Sequence, residues 1–178
     1  MITPMEICLS GPRVTLRKLT LADAPVLFAY RSLPEVYRYQ GWYPETISDA
    51  EDFIRKHAIE TKGSIGEWVQ LGICAKTDGA LLGDCGYHVI SDSEAEIGYT
   101  LAPRYQRKGY ATEVVETLLT YLFENAQFKM VTASTDPEND ASIRVLEKNG
   151  FKKSRLLEKS VKIRGEWRDD LVFEHTKH

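Results

Sequence analysis

The chain has 178 residues, 43% hydrophobic and 28% charged, so a single globular domain over residues 1–178 with a core of its own is expected. A net charge of −3 gives no electrostatic case for a nucleic-acid or anionic-membrane surface, and no apolar run approaches the roughly 20 residues that cross a bilayer. Cys8, Cys74 and Cys85 form an odd set without a C-x-x-C pair, and Met1 to Val14 lacks the basic start and apolar block of a signal peptide; both suit a reducing cytoplasm.

Arg13 to Lys18 alternates apolar Val14 and Leu16 with polar neighbours and predicts a first strand. Thr20, with Asp23 three residues on, opens a helix that runs to about Ser32 and stops before Pro34. Glu35 to Glu45 is irregular and aromatic, with Tyr37, Tyr39, Trp42 and Tyr43, and reads as a packed loop or a substrate-facing wall. Ser48 and Glu51 form a second capping-box pair for a helix to about Thr61, and Gly63 to Gly66 breaks it. Trp68–Lys76, Leu81–Ile90 and Glu94–Leu101 are separated by Thr77-Asp78-Gly79 and Ser91-Asp92-Ser93 turns, which predicts an antiparallel meander. Val114, Val115, Leu118, Leu119, Leu122 and Phe123 recur at helical spacing, so a helix spans Thr112 to about Ala126. Met130 to Thr135 is the next strand; strand, helix and strand in this order predict a parallel pair with a right-handed crossover. A turn at Asp136–Asn139 leads to a short helix ending at Asn149, with Gly150 as a left-handed cap and Phe151 packed behind it. Lys153–Ile163 and Trp167–Glu174 close the chain as a hairpin about Arg164-Gly165. The fold class is mixed α+β. The four histidines show no H-x-x-x-H pairing, so no metal is expected.

One stretch points to chemistry. Gln106-Arg107-Lys108-Gly109-Tyr110-Ala111 joins the third strand of the meander to the long helix. A strand that turns sharply into a helix aims the helix's unpaired first amides, and the positive end of its dipole, at one point. That is an anion site, and most often a phosphate site. Gly109 permits the unusual backbone angles, and Arg107 and Lys108 add charge at the rim. Neither G-x-x-x-x-G-K-[ST] nor G-x-G-x-x-G is present, so nucleoside triphosphatase and dinucleotide readings find no support. A turn that binds nothing is the plain alternative.

The same residues carry a resemblance. Gln106 to Ala111 resembles the Q/R-x-x-G-x-G/A acetyl-coenzyme A loop of the GNAT N-acetyltransferases, and Asn139, Ser142 and Leu146–Phe151 resemble that superfamily's second cofactor motif. Glu96-Ile97-Gly98-Tyr99 and the Arg13–Asp23 opening are similar to the ribosomal-protein N-acetyltransferase branch. The resemblance implies a GNAT-like sheet, with acetyl-coenzyme A between two splayed parallel strands. It implies that Tyr99, Thr100 and Leu101 pair with the pantetheine arm and that Gln106, Arg107, Lys108, Gly109, Tyr110, Ala111 and Thr112 hold the pyrophosphate. Asn139 would reach the pantetheine or order the site. A primary amine, on a protein N-terminus (possibly ribosomal) or a small molecule, would attack the thioester directly in a ternary complex. Glu96 is the candidate base, and Ser142 the candidate hydrogen-bond partner of the coenzyme sulfur. The superfamily's usual acidic tyrosine is replaced here by Leu146. That departure keeps open an alternative, a non-catalytic acyl-coenzyme A sensor or interaction module.

Overall fold

The computed structural model describes residues 7–59 and 61–178. Part of the opening segment on which the signal-peptide expectation rests lies outside these residues, as does position 60 near the expected end of the helix that follows Ser48. No helix among the described residues is long and apolar enough to cross a membrane.

The described strands form one mixed sheet. They are β1 (Cys8–Ser10), β2 (Val14–Lys18), β3 (Trp68–Ala75), β4 (Leu81–Val89), β5 (Glu94–Leu101), β6 (Met130–Thr135), β7 (Lys152–Ile163) and β8 (Glu166–Thr176). Their spatial order is β1-β2-β3-β4-β5-β6-β8-β7. The expected meander is present, and the strand-helix-strand unit gives the one parallel pair, β5 with β6, among the described strands. Every other neighbouring pair is antiparallel. β1 was not expected: it has three residues at the sheet edge and no alternation long enough to read. The terminal hairpin docks through its second strand, so β8 lies beside β6 and β7 forms the far edge.

Helices α1 (Ala24–Arg31), α2 (Pro34–Tyr37), α3 (Ile47–His57), α4 (Tyr110–Thr120) and α5 (Asp140–Lys148) cover the sheet. Strand alternation divides the core. Leu71, Ile73, Tyr87 and Ile97 pack with Val114, Val115, Leu118 and Leu122 of the α4 stretch and Leu146 of α5. On the opposite face Cys74 and Leu81 pack with Leu27 and Tyr30 of α1 and Ala50 and Ile54 of α3. Each fully buried aliphatic side chain contributes at most about 1.5–3 kcal/mol.

Local signals are mostly met, with small shifts. The Asp23 carboxylate accepts from the Thr20 amide at 2.8 Å, but the first turn is 3-10 and the α-helix starts at Ala24. The second capping box falls two residues early, on Thr46 and Asp49 rather than Ser48 and Glu51, and α3 ends at His57 rather than near Thr61. The Thr46 hydroxyl and the Asp49 carboxylate are three residues apart and serve each other's amides, which leaves Ser48 inside the first turn. α4 starts at Tyr110, two residues before Thr112, and its last turn widens into a π-turn over Tyr121–Asn125. α5 ends as expected in a Schellman motif: Gly150 has φ 84°, its amide donates to Glu147, and the Phe151 amide donates to Leu146.

The parallel ladder is short. Its register runs from Glu94↔Met130 to Ile97↔Ala133 and stops. Beyond it β5 is paired only to β4 through Leu101, and β6 only to β8 through Thr135. The two strands therefore part at Gly98 and Ser134 and leave a wedge at their C-terminal ends.

Candidate active site

The loop after β5 sits at the mouth of this wedge. Arg107 has φ 61° and Gly109 φ 83°, two left-handed residues within three positions. Such alternation turns backbone N–H groups inward to form an anion-binding concavity. Gly109 is the N-cap of α4, so the helix's free first amides face the same point. Two residues that sequence reasoning left out fix the loop from behind. The Glu113 carboxylate accepts from the amides of Arg13 (2.6 Å) and Val14 (3.0 Å) and from Arg13 Nε (2.9 Å). Burial works against that carboxylate, but these donors hold it below the ordinary glutamate value. Arg13 then donates to the Lys108 carbonyl at 3.0 Å and lies 4.2 Å over the Tyr110 ring.

A cavity of about 530 Å³ opens between loop, β5 and α5. Of the residues expected at a cofactor, Tyr99, Thr100, Leu101, Gln106, Arg107, Gly109, Ala111, Thr112 and Asn139 line it, as does Ser142. Lys108 and Tyr110 are not among the lining residues; both engage Arg13 instead. Gln106 spends its side-chain amide on the Leu101 carbonyl at 3.0 Å and so ties the loop to the end of β5. Asn139 caps α5 by accepting from the Ser142 amide at 3.3 Å. Arg107, Arg144 and Lys148 place positive charge around the cavity, and the last two share a face of α5 at i, i+4 spacing. The arrangement fits a long ligand with an anionic diphosphate at one end and amide groups that pair with the open edge of β5.

At the narrow end two hydroxyls meet. Tyr99 Oη lies 3.0 Å from Ser142 Oγ and 3.3 Å from the Ser142 carbonyl. Burial pushes the Tyr99 hydroxyl up to about 12, against the lowering effect of Ser142, so it remains a donor at neutral pH. Leu146, one turn further along α5, is buried in the core. A hydroxyl is thus supplied at this end of α5 from β5, with a leucine at the superfamily's tyrosine position.

Glu96 stands apart. Ile97 and Tyr99 face α4 and α5, so Glu96 projects from the other face, in a row with His88 and Thr132, and it does not line the cavity. Burial raises its carboxyl, Asp170 and Glu94 raise it further, and His88 opposes them. A raised carboxyl binds its proton more tightly in the folded state. Its contribution to stability is therefore full below the ordinary glutamate value and is lost as pH rises through the folded one.

The far wall is the aromatic stretch, through Glu35, Val36, Tyr39 and Gln40. Arg164, in the β7–β8 turn, donates to the carbonyls of Tyr37 (3.1 Å), Arg38 (2.8 Å) and Gln40 (3.2 Å) and lies 4.9 Å over the Tyr37 ring. The terminal hairpin thus holds this wall in place. Among the described residues no His, Cys, Asp or Glu cluster could hold a metal.

Comparison with known proteins agrees with this geometry. Residues 13–152 match the acetyltransferase (GNAT) domain family. An uncharacterized N-acetyltransferase, p20 of Bacillus licheniformis, is 36% identical over 164 residues, 90% of this chain and 91% of that protein. The crystal structure of a GNAT-family acetyltransferase from Bacillus anthracis aligns with a TM-score of 0.86 at 25% identity, over 96% of this chain and 98% of that one. RimL, the ribosomal L7/L12 alpha-N-protein acetyltransferase solved with coenzyme A, aligns with a TM-score of 0.84 over 96% and 98% of the two chains; at 15% identity it shows a shared fold. Matched in sequence and in fold over most of its length, the protein belongs to the GNAT acetyltransferase family, an acyltransferase with acetyl-coenzyme A as its acetyl donor.

Proposed function

We propose that the protein is an N-acetyltransferase that acetylates a primary amine, on a protein N-terminus or a small molecule, by direct attack in a ternary complex. The coenzyme supplies an activated acetyl group as a thioester. Backbone amides from Gln106 to Thr112 bind its diphosphate, with Arg107, Arg144 and Lys148 as counter-charges. The open edge of β5 from Tyr99 to Leu101 pairs with its arm, and Asn139 orders the end of α5. Orientation of this kind is worth up to about 7–11 kcal/mol in favourable cases.

The observation that carries the reading is the Tyr99–Ser142 hydroxyl pair at the inner end of the wedge. Tyr99 donates to Ser142 Oγ, which releases the serine hydrogen toward the departing sulfur. Glu96, with its raised carboxyl, receives the ammonium proton through water. The test is thiol release from acetyl-coenzyme A with a panel of peptides, polyamines and amino acid amides. No turnover by protein that demonstrably binds the coenzyme would overturn the proposal.

Two variants check the roles. Ser142→Ala lowers kcat by about 10²-fold, the low end for a positioned proton donor, and changes the acetyl-coenzyme A KM far less. An unchanged kcat removes Ser142 from the chemistry. For Glu96, kcat/KM rises with pH through a group above the ordinary carboxylate range, because burial favours its protonated form. Glu96→Gln abolishes that limb of the profile; a profile that keeps it assigns the base elsewhere.

A further inference from the structure

The far wall of the cavity, at Gln40, ends a hydrogen-bond chain whose direction chemistry fixes. Asp84 on β4 is fully buried and accepts from the Tyr30 hydroxyl, from Gln70 Nε2 (2.6 Å) and from two nitrogens of Arg31. Arg31 Nη1 continues to Gln40 Oε1 at 2.7 Å. A guanidinium has only donors, so the Gln40 atom that faces it is the carbonyl oxygen. The Gln40 amide nitrogen is thereby turned to Thr100 Oγ1 at 3.0 Å, and it donates there because it has no lone pair to offer. Thr100 must accept, so its own hydrogen is left for another partner. Among the described residues no protein acceptor for that hydrogen is present, and Gln40 and Thr100 both line the cavity. Arg164 holds the Gln40 backbone, and the β-branched threonine has little freedom at χ1.

We propose that the Thr100 hydroxyl is a specificity donor for the acceptor substrate, and that Gln40 is the positioning residue that sets its polarity. The donor takes a lone pair from an oxygen next to the reacting amine. The shared chemistry is a carbonyl or carboxylate α to a primary amine, as at a peptide amino terminus or in an amino acid. A diaminoalkane offers no such oxygen and gains nothing from the donor. The inference rests on the acetyltransfer reading above and narrows its acceptor class.

The experiment measures kcat/KM of the full chain for three acceptors: a short peptide with a free amino terminus, the corresponding free amino acid, and a diaminoalkane of matched length. The wild type prefers at least one oxygen-bearing acceptor over the diamine, and the peptide and amino acid arms decide which source of the oxygen is used. Thr100→Val lowers that preference at least tenfold, and Thr100→Ser restores most of it. Gln40→Glu keeps a partner for Arg31 but can only accept from Thr100. It reverses the chain and lowers the preference by a similar factor, mainly through KM. On the Thr100→Val background Gln40→Glu has no further effect on the preference, which a merely structural role for Gln40 would not produce. A wild type that prefers the diamine, or a preference unchanged in Thr100→Val or Gln40→Glu, overturns the subsite and leaves acetyltransfer standing. A wild type that binds acetyl-coenzyme A and turns over none of the three overturns both.

Discussion

Gly109→Trp lowers acetyl-coenzyme A affinity by about 10³-fold and leaves the protein folded. Gly109 has φ 83°, a conformation that costs other residues roughly 1–3 kcal/mol. The loop already carries one such cost at Arg107, with φ 61°. A Cβ at Gly109 would stand 3.3 Å from Arg13 Nη2, the guanidinium that holds the Lys108 carbonyl. Relief of the strain or the crowding turns the loop amides away from their common point. Hydrogen bonds to a charged group are worth about 1.5–3 kcal/mol each, so the loss of two accounts for about three decades. The site is exposed and outside the core, so the melting temperature moves little. Calorimetric titration with acetyl-coenzyme A, alongside a thermal melt, reads both quantities. Unchanged affinity in the folded variant would remove the loop from the cofactor site.

The second large effect is on stability. Asp84→Ala destabilises the protein by about 3–5 kcal/mol, the usual cost of stranding one partner of a buried ion pair. The Asp84 side chain is wholly inaccessible, and its removal leaves Arg31, Tyr30 and Gln70 without their shared acceptor. The Arg31 guanidinium lies 5.7 Å from the Trp42 ring centre and 5.5 Å from that of Phe53 and is only 11% exposed, so little water is available to replace the lost carboxylate. Chemical denaturation measures the change. The pair Asp84→Leu with Arg31→Met costs less than Asp84→Ala alone, since neither charge is then left buried. A cost below about 1 kcal/mol for the single variant would show that Arg31 finds other partners.

Sequence reasoning located elements best where one physical signal dominated. Glu94–Leu101 and Met130–Thr135 are bounded as expected, because turn residues or a proline end each run and the interiors are rich in β-branched and aliphatic side chains. Gly150 and Phe151 announced the end of α5 through a motif that only a left-handed glycine satisfies. β1 offered three residues and no pattern, and the α3 box shifted because Thr46 and Ser48 are chemically similar caps four and two residues before Ala50. The left-handed N-cap was legible in Gly109, since glycine takes that conformation at little cost. The long-range contacts that shape the cavity and its loop were not. Gln40 reaches Thr100 across 60 positions, Arg13 reaches Glu113 across 100, and Arg164 reaches Arg38 across 126. Each depends on where the sheet brings distant segments, and no spacing along the chain encodes it. Tyr99 was named for its backbone, yet its hydroxyl became informative only once β5 and α5 were set side by side.

The early end of the β5–β6 ladder has a mechanical consequence. With four registered residue pairs on each strand before they diverge, the sheet is two plates, β1 to β5 and β6 with the terminal hairpin, stitched along one half of a seam. A guest lodged in the unstitched half acts as a splint, since it grips one plate through β5 and the other through the segment that follows β6. Occupancy then adds to folding stability by mass action. The gap is where the sheet leaves its own backbone hydrogen-bonding groups without a neighbouring strand.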